Sequence, residues 1–310
     1  MYVTIMKLQA RRHRLLSTFG YHTYTLWLFT VNDLKTMVFP STAFAFANCG
    51  HMEATSEFLS RLPHVLFWTW VNLLAFAVNN QRNPSAITED RLNKPWRPIP
   101  SGRLSADNAR KLGIFAYVLA QVASLLAGGG IVQSTLLSVL GYVYNELGGG
   151  DSGYVVRNTL NAAGFTSFAS GALEVASGGI SVITVKPILA WLALIAATVA
   201  TTVHSQDMYD QEGDAAAGRR TVPLVIGDKP ARWSIATAVA WWSFICPLYW
   251  WSGLAGYILV GTLGAWVAWR TMYKTSVPED RVTFRIYNAW LVSMYSLPLV
   301  AQIESRGLLV

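Results

Sequence analysis

The chain has 310 residues, of which 53% are hydrophobic and only 13% are charged. A soluble domain carries about 25% charged residues, so this composition excludes an ordinary water-soluble enzyme and indicates a lipid-facing surface. The formal net charge of +7 is explained by basic loops at one membrane surface, and it needs neither a nucleic-acid partner nor a protein partner.

Long apolar segments predict an all-α membrane protein with about nine transmembrane helices in a single domain over 1–310. In chain order the expected helices are 36–50, 63–80, 107–127, 131–146, 158–182, 187–206, 231–252, 254–273 and 283–303. Residues 1–35 form a cytosolic or interfacial N-terminal segment, because the stretch from Tyr21 to Lys35 is amphipathic.

The basic residues support this helix count by their distribution between the two membrane sides. Of the 24 Lys and Arg, only Arg61, Lys186 and Arg306 fall on one side, which leaves 21 on the other. The richer side holds the N-terminal segment and the connections after the second, fourth, sixth and eighth helices. By the positive-inside tendency this side is cytosolic, and its loops are expected to form a cap over the helices.

The loop after the sixth expected helix reads QDMYDQEGDAAAGRRTVP, over residues 206–223. If the helix continues for two turns, Asp207, Asp210 and Asp214 lie on one face and repel each other. We therefore expect a cation among them. Mg²⁺ fits, since it prefers oxygen ligands and bridges carboxylates to phosphates. The alternative is a solvated acidic helix end, which three aspartates at this spacing disfavour.

The loop after the second expected helix is less regular and reads NNQRNPSAITEDRLNKPWRPIPSGR, over residues 79–103. Asn80 and Asp90 are candidate ligands of a second metal ion, and Glu89 can replace or assist either of them. The alternative is a basic loop that contacts anionic lipid headgroups.

Acids, then bases, then prolines follow each other in both loops. This weak internal repeat suggests two four-helix halves and one extra helix.

Basic residues beside the acids are candidates for binding phosphate oxygens, arginine with a bidentate fork and lysine as a point charge. They are Lys94, Arg97, Arg103, Arg219 and Arg220. Metal and bases together describe a site for a diphosphate with a long apolar tail, such as an isoprenyl diphosphate. They would stabilise the charge that develops on the departing diphosphate. The four aspartates of the two loops are therefore expected to be catalytic.

The two loops resemble those of the UbiA superfamily of intramembrane prenyltransferases. That family has nine helices, an Asn/Asp-rich motif after the second helix, and a D-x-x-D-x-x-G-D motif after the sixth. The second loop of this chain matches the latter motif, and Asn93–Arg103 matches the family sequence after the first one. Asp90 falls on the last acid of the first motif, but Ala86 stands where the family usually has its middle aspartate.

Two further stretches, Tyr24–Phe44 and Tyr144–Asp151, resemble the fungal UbiA-type terpene cyclases. This resemblance implies a magnesium-dependent class I cyclase that converts farnesyl diphosphate to a cyclic sesquiterpene. It also implies the endoplasmic reticulum as the membrane. A prenyltransferase with an aromatic or quinone-like acceptor stays open, because the motifs mark diphosphate binding, which both activities share. A non-catalytic lipid carrier would not need this site. The irregular first loop favours cyclisation.

Aromatic side chains are candidates for stabilising a carbocation in the prenyl pocket, although interface belts and helix packing use the same residues. The candidates are Trp68, Trp70, Tyr142, Tyr144, Trp191 and Trp290. Glu174, deep in the fifth expected helix, is a catalytic base or charge stabiliser, or else a protonated hydrogen-bonding group. His204 either accepts a proton or only hydrogen-bonds near the loop.

Overall fold

The computed structural model describes residues 18–52 and 58–306, and in these ranges the regular structure is all helical, as predicted. The α-helices are α1 (18–30), α2 (Phe39–Asn48), α3 (Phe58–Gln81), α4 (Pro84–Asn93), α5 (Ala106–Ala127), α6 (Ile131–Asn145), α7 (Tyr154–Ala176), α8 (Lys186–Thr202), α9 (Gln211–Ala216), α10 (Val222–Ile226), α11 (Asp228–Trp250), α12 (Gly253–Tyr273), α13 (Val277–Tyr295) and α14 (Leu297–Ser305). A π-helical turn, Leu34–Val38, leads into α2.

Three helices of the described part are long and apolar enough to cross a membrane. They are Phe58–Gln81, Ala106–Ala127 and Lys186–Gln206, with mean hydropathies of 1.3, 1.3 and 1.7. Each of the nine expected segments overlaps a helix. The number of helices that cross the membrane stays a prediction, as do the two four-helix halves. Of the expected N-terminal segment, residues 1–17 lie outside the described ranges.

Two of the expected helices end or break earlier than the apolar pattern predicts. The segment 158–182 ends as a helix at Ala176, because Gly178 and Gly179 follow the Ser177 cap with positive φ angles of 72° and 93°, which turn the chain out of the helix. The segment 283–303 is interrupted at Ser296. Pro298 explains the break, since proline has no N–H for the helix and its ring collides with the carbonyl one turn earlier.

The sixth expected helix does not continue into the acidic loop. α8 ends at Thr202, a 3₁₀ turn covers Val203–Gln206, and the chain turns again over 207–210 before α9 begins. The prediction of three aspartates on one face of a continuous helix is therefore wrong. Instead α9 packs against α4. These two short helices, with the loops beside them, form a polar cap over one end of the bundle.

A tryptophan holds three helices of the bundle together. Trp68 of α3 has no exposed surface, and its Nε1 donates a hydrogen bond to Ser124 Oγ of α5 at 2.8 Å. Its indole ring lies directly on the backbone of α7, because residue 171 is glycine: a Cβ there would lie 2.1 Å from the ring atom Cη2. This contact fixes how closely α3 approaches α7. Both of these helices contribute side chains to the cavity described below.

Substituting Gly171 by alanine should destabilise the protein, because the added methyl group overlaps the Trp68 ring. Overpacking of this kind costs about 1–3 kcal/mol. Gly261→Ala on α12 is the matched control, since nothing lies within 4 Å of its Cβ. Thermal unfolding in detergent should show a lower midpoint for Gly171→Ala only. Equal midpoints for the two variants would contradict the packing described here.

Candidate active site

A cavity of about 360 Å³ lies where the cap meets the bundle. Its polar wall comes from α4, from the loop that follows α4 and from the turn before α9. Its apolar wall comes from the interior of α3, α6, α7 and α13. The apolar side chains of this wall include Leu73, Phe76, Leu137, Leu140, Leu160, Phe165, Phe168 and Phe284. The cavity therefore joins a charged end to an aliphatic and aromatic end.

One guanidinium connects three segments of the polar wall. Arg219 Nη1 donates hydrogen bonds to Glu89 and, at 3.1 Å, to Asp214 Oδ1, while Nε donates to Asp151 Oδ1 at 2.9 Å. Lys94 adds a second bridge, with its Nζ 3.2 Å from Glu89 Oε1. Burial alone would raise the pKa of Glu89, but the charges of Lys94 and Arg219 lower it to about 2.

The aspartates of the acidic loop each contact a different base or amide. Asp210 Oδ2 lies 3.3 Å from Lys94 Nζ, and Asp210 Oδ1 accepts from Asn93 Nδ2 at 3.0 Å. Asp207 Oδ1 accepts from Nη2 of Arg157 at 3.2 Å. Each of the three carboxylates thus has its own basic partner, Arg157 for Asp207, Lys94 for Asp210 and Arg219 for Asp214.

Arg157 was not expected at the site. It lies in the first turn of α7 and is buried, and its Nη1 also donates to the Tyr144 hydroxyl at 2.6 Å. Because the fifth helix was expected to begin at residue 158, Arg157 was counted as a loop residue. A buried arginine inside a membrane helix is itself a signal of a functional site. The correct helix start would therefore have identified it.

Asp90 of the first loop lies beside the cavity and pairs with an arginine. Its carboxylate has no exposed surface, and Arg97 Nη1 donates to both of its oxygens at 2.9 and 3.0 Å. Asp90 does not line the cavity, whereas Arg97 does. Its observed contacts therefore position Arg97, and its role as a metal ligand stays a prediction. Asn80 and Glu89 do line the cavity, and Asn80 Nδ2 donates to Asn145 Oδ1 at 3.0 Å.

Two oxygen atoms in the acidic loop fit a divalent cation. In the described ranges no three His, Cys, Asp or Glu side chains lie close enough to hold a metal by themselves. However, Asp207 Oδ2 and Asp214 Oδ2 are buried and make no hydrogen bond, although of the three aspartates of this loop only Asp210 lines the cavity. Burial and the charge of Asp214 raise the pKa of Asp207 to about 6, despite Arg157. Two buried, unpartnered carboxylate oxygens suit a hard cation whose other ligands come from phosphate and water.

Three other predicted site residues lie away from the cavity. Arg103 packs on α1, where its Nε donates to Thr25 Oγ1 at 2.7 Å and its guanidinium lies over the Tyr21 ring. Arg220 is exposed and is absent from the cavity lining. Glu174 is about 25 Å from Arg157 along α7, at 1.5 Å per residue.

The contacts of Glu174 and His204 favour their structural roles. Glu174 Oε1 accepts hydrogen bonds from the Val182 backbone N–H at 3.0 Å and from Ser181 Oγ at 3.2 Å. It therefore secures the turn after α7. His204 Nε2 is 2.9 Å from Ser234 Oγ of α11, and neither side chain lines the cavity. The prediction of a catalytic Glu174 is not supported by this position.

Of the predicted pocket aromatics, Tyr144 alone lines the cavity within the part of the chain that the structure describes. The others are directed elsewhere: Trp68 and Trp191 pack in the core, Trp290 donates to Ser243, Trp70 faces Thr30, and Tyr142 is exposed on the outer surface. Besides Tyr144, the aromatic side chains that line the cavity include Tyr209 and four phenylalanines, Phe76, Phe165, Phe168 and Phe284. Nothing in the sequence distinguished these rings from ordinary core residues, because the rotation of each helix decides which ring faces inward.

The chain is similar to known proteins in both sequence and fold. The sequence matches the UbiA prenyltransferase family over residues 37–293. The chain belongs to the UbiA prenyltransferase family. As a member, it is an integral membrane enzyme. Its helices also superpose on a solved UbiA homolog from Archaeoglobus fulgidus bound to GPP and Mg²⁺, with a TM-score of 0.57, 15% identity, and coverage of 86% of this chain and 99% of that one.

Among curated relatives, this UbiA-family chain resembles both a cyclase-type and a transferase-type enzyme. It is 31% identical to fumagillin beta-trans-bergamotene synthase of Aspergillus fumigatus, over 91% of this chain and 94% of the relative. It is 26% identical to a polyprenyl transferase of Hericium erinaceus, again over 91% and 94% of the two chains. The identity is higher with the synthase.

Replacing Arg157 by methionine should lower the stability of this UbiA-family protein, because it leaves the buried Asp207 carboxylate without its cation. Breaking a buried ion pair on one side costs about 3–5 kcal/mol. Arg157→Met combined with Asp207→Asn should recover part of this loss, since the remaining group is then neutral. Unfolding midpoints of the two single variants and the double variant measure this coupling. Strictly additive losses would show that the pair is not coupled.

Proposed function

We propose that the chain is a magnesium-dependent class I terpene cyclase that converts farnesyl diphosphate to a cyclic sesquiterpene. The observation that carries this proposal is the cavity, whose charged end would bind a diphosphate and whose aromatic end would enclose a prenyl tail. The similarity to a bergamotene synthase supports cyclisation. The Mg²⁺ and prenyl diphosphate bound to the solved homolog support the ligands.

In the proposed reaction, the bond between C1 of the prenyl group and the diphosphate oxygen breaks, and both electrons leave with the oxygen. Lys94 and Arg219 lie at the charged end of the cavity, where they stabilise the developing negative charge. Asp207 and Asp214 would hold Mg²⁺, which supplies further positive charge to the leaving group when bound. Ionisation is therefore favoured by groups that are fixed before the substrate arrives.

The remaining allylic cation lies in the apolar end of the cavity. A distal double bond of the same chain donates its electron pair to the cation, which closes the ring and moves the charge to another carbon. The ring faces of Phe165, Phe168 and Phe284 can stabilise this charge through their quadrupoles. Loss of a proton to the departed diphosphate then gives a neutral alkene. Among the described residues, those that line the apolar end are aliphatic or aromatic, and none of them would replace the diphosphate as the base.

A prenyltransferase is the second candidate, because the chain is also similar to a polyprenyl transferase over nearly its whole length. The ionisation step would be the same, and an aromatic or quinone-like acceptor would then capture the cation. For either activity we propose the endoplasmic reticulum as the membrane, with the cap on the cytosolic side.

One assay separates the two activities. The protein is reconstituted in lipid and incubated with farnesyl diphosphate and Mg²⁺ without an acceptor, and the organic extract is analysed by mass spectrometry. A cyclic hydrocarbon or alcohol is expected. Turnover only after an aromatic acceptor is added would instead identify the protein as a transferase.

Asp207→Asn should reduce turnover by about 10²–10³-fold, because it removes the charge of one expected metal ligand. Asp107→Asn is the matched control: Asp107 is exposed in the first turn of α5 and does not line the cavity. Turnover of farnesyl diphosphate at saturating Mg²⁺ measures both effects. An Asp207→Asn enzyme with the activity of the control would refute the metal-ligand role.

Gly164 provides a test of where the prenyl tail lies. It lines the cavity from α7, and nothing lies within 4 Å of a Cβ at this position. Gly164→Leu would therefore place an isobutyl group, close in size to one isoprene unit, into the space for the tail. We expect kcat/KM for farnesyl diphosphate to fall relative to that for geranyl diphosphate by about tenfold or more.

Gly261→Leu on α12 is the control for this change, since its Cβ also meets nothing within 4 Å and the residue does not line the cavity. It should leave the ratio between the two substrates unchanged. An equal loss on both substrates in Gly164→Leu would place the prenyl tail elsewhere.

A further inference from the structure

A buried guanidinium joins three helices outside the cavity. Arg232 lies in the second turn of α11 and is 3% exposed. Its Nη1 and Nη2 donate to the two carboxylate oxygens of Asp280, in the first turn of α13, at 2.7 and 2.8 Å. Nη1 also donates to the Thr271 carbonyl, near the end of α12, at 3.0 Å. Arg232 therefore holds α11, α12 and the start of α13 together, although it does not line the cavity.

The same guanidinium is connected to the acidic loop through two further residues. Arg232 Nε and Nη2 donate to Asp228 Oδ2 and Oδ1, at 2.8 and 3.1 Å. Asp228 Oδ1 in turn accepts from Gln211 Nε2 at 3.1 Å. Gln211 is the first residue of α9, and its amide also donates to the Met208 carbonyl at 3.0 Å. We call Gln211, Asp228, Arg232 and Asp280 the Arg232 network.

The two segments that the Arg232 network joins also meet inside the cavity. Tyr209 of the acidic loop and Phe284 of α13 both line the cavity, and their ring centroids are 5.7 Å apart. Tyr209 is two positions before Gln211, and Phe284 is about one helical turn after Asp280. The network therefore holds, from outside the cavity, the two backbone segments that carry this pair of rings.

A second arginine provides a comparison, because it binds α13 without reaching the acidic loop. Arg270 of α12 is also buried. Its Nε donates to Thr283 Oγ1 at 3.2 Å, and its Nη2 donates to the Glu279 carbonyl at 3.3 Å and to the Glu279 carboxylate. Within the described ranges, these side-chain hydrogen bonds all end on α13. The two arginines thus share charge and burial, but only Arg232 connects α13 to the acidic loop.

We infer that Arg232 is a positioning residue, which holds α13 against the acidic loop so that Tyr209 and Phe284 form one closed wall of the cavity. A guanidinium that is bound by two carboxylates at once has a narrowly defined geometry, because each pair uses two parallel hydrogen bonds. Asp280 is 3% exposed, and in the described part of the chain Arg232 is its one salt-bridge partner. Asp280 therefore cannot move away without becoming an unpaired buried charge.

The chemical consequence of this position rests on the proposed function. A closed wall keeps water away from the allylic cation. If Tyr209 and Phe284 separate, the oxygen of a water molecule donates an electron pair to C1 of the cation, and a proton of that water passes to the departed diphosphate. The product is then the linear alcohol farnesol instead of a ring. Arg232 thus influences the product through two rings, without touching the substrate.

The experiment compares the unchanged chain with Arg232→Gln, Gln211→Leu and the control Arg270→Gln, each in lipid nanodiscs. Farnesyl diphosphate and Mg²⁺ are added, and mass spectrometry gives the ratio of farnesol to cyclic product, after subtraction of farnesol that forms without protein. Arg232→Gln should raise this ratio about tenfold or more. Gln211→Leu removes one hydrogen bond of the network and should raise the ratio about threefold. Arg270→Gln should stay within about twofold of the unchanged chain.

Two further variants separate positioning from stability. Arg232→Lys keeps the charge but loses the planar fork, so its ratio should lie between those of the unchanged chain and Arg232→Gln. Arg232→Gln combined with Asp280→Asn removes the unpaired buried charge and should recover part of the unfolding midpoint. Its product ratio should stay high, because α13 is still not held against the loop. If the ratio returned with the stability, Arg232 would have a structural role only, and the inference would be wrong.

Hydrogen exchange, measured by mass spectrometry without substrate or metal, tests the same connection independently of turnover. Arg232→Gln and Gln211→Leu should both increase the exchange of backbone amides over 207–214, because the loop loses its connection to α11 and α13. Arg270→Gln should increase exchange in α12 and α13 only. Unchanged exchange over 207–214 in the first two variants would overturn the inference, as would increased exchange with an unchanged product ratio.

Failure of the proposed function gives a different result. If the unchanged chain forms no cyclic product while hydrogen exchange responds as expected, the cyclase proposal fails and the positioning of α13 by Arg232 stands. If the unchanged chain forms a cyclic product and neither the ratio nor the exchange responds to Arg232→Gln, the positioning role fails and the cyclase proposal stands.

Discussion

The cap depends on the guanidinium of Arg219. This side chain hydrogen-bonds to carboxylates from α4, from the loop before α7 and from α9. These segments are far apart in sequence, and smaller contacts join them further: Lys94 and Asn93 reach Asp210, and Ser85 Oγ donates to Asp151. Because Arg219 and its partners are mostly buried, the charges act in a low dielectric, where they are strong when paired and costly when separated. The shape of the polar wall therefore depends strongly on the contacts of Arg219.

This pairing also divides the charged groups into two kinds. Most bases of the cap already neutralise a carboxylate, so they define the geometry of the polar wall before any ligand binds. The groups left over include two buried oxygens, on Asp207 and Asp214, which lie beside the cavity and not in its lining. Lys35, Arg281 and Arg285 line the cavity and are exposed. The oxygens suit a cation and the bases suit an anion, so the residual charges of the site lie at two different places.

The sequence predicted the helical class and the acidic loops because short-range patterns carry them. The spacing of Asp207, Asp210 and Asp214 located the charged end of the cavity, although the assumed helical continuation was wrong. Asp90 was expected as a metal ligand, but nothing local shows that the chain folds back to place Arg97 on both of its oxygens. Such a contact depends on a loop conformation that no periodicity describes.

The aromatic pocket could not be predicted for a different reason. Trp68 and Phe168 both lie on apolar helices, yet only Phe168 lines the cavity. The choice depends on a Gly171 that admits the tryptophan ring beside α7 and turns it away from the cavity. A helix rotation of one residue, about 100°, would exchange the roles of neighbouring rings. The composition gives the number of aromatic residues but not the direction in which each ring points.

The pairing of Arg157 with Asp207 has a consequence for biosynthesis. The two residues are 50 positions apart, so α7 leaves the ribosome with its arginine before the partner carboxylate has been made. An arginine held in lipid without a counter-charge is costly, and its long side chain can extend to the interface instead. The pair of Arg157 and Asp207 can therefore form only after the turn that follows α8 has been synthesised. The charged end of the cavity is complete only when both segments are present.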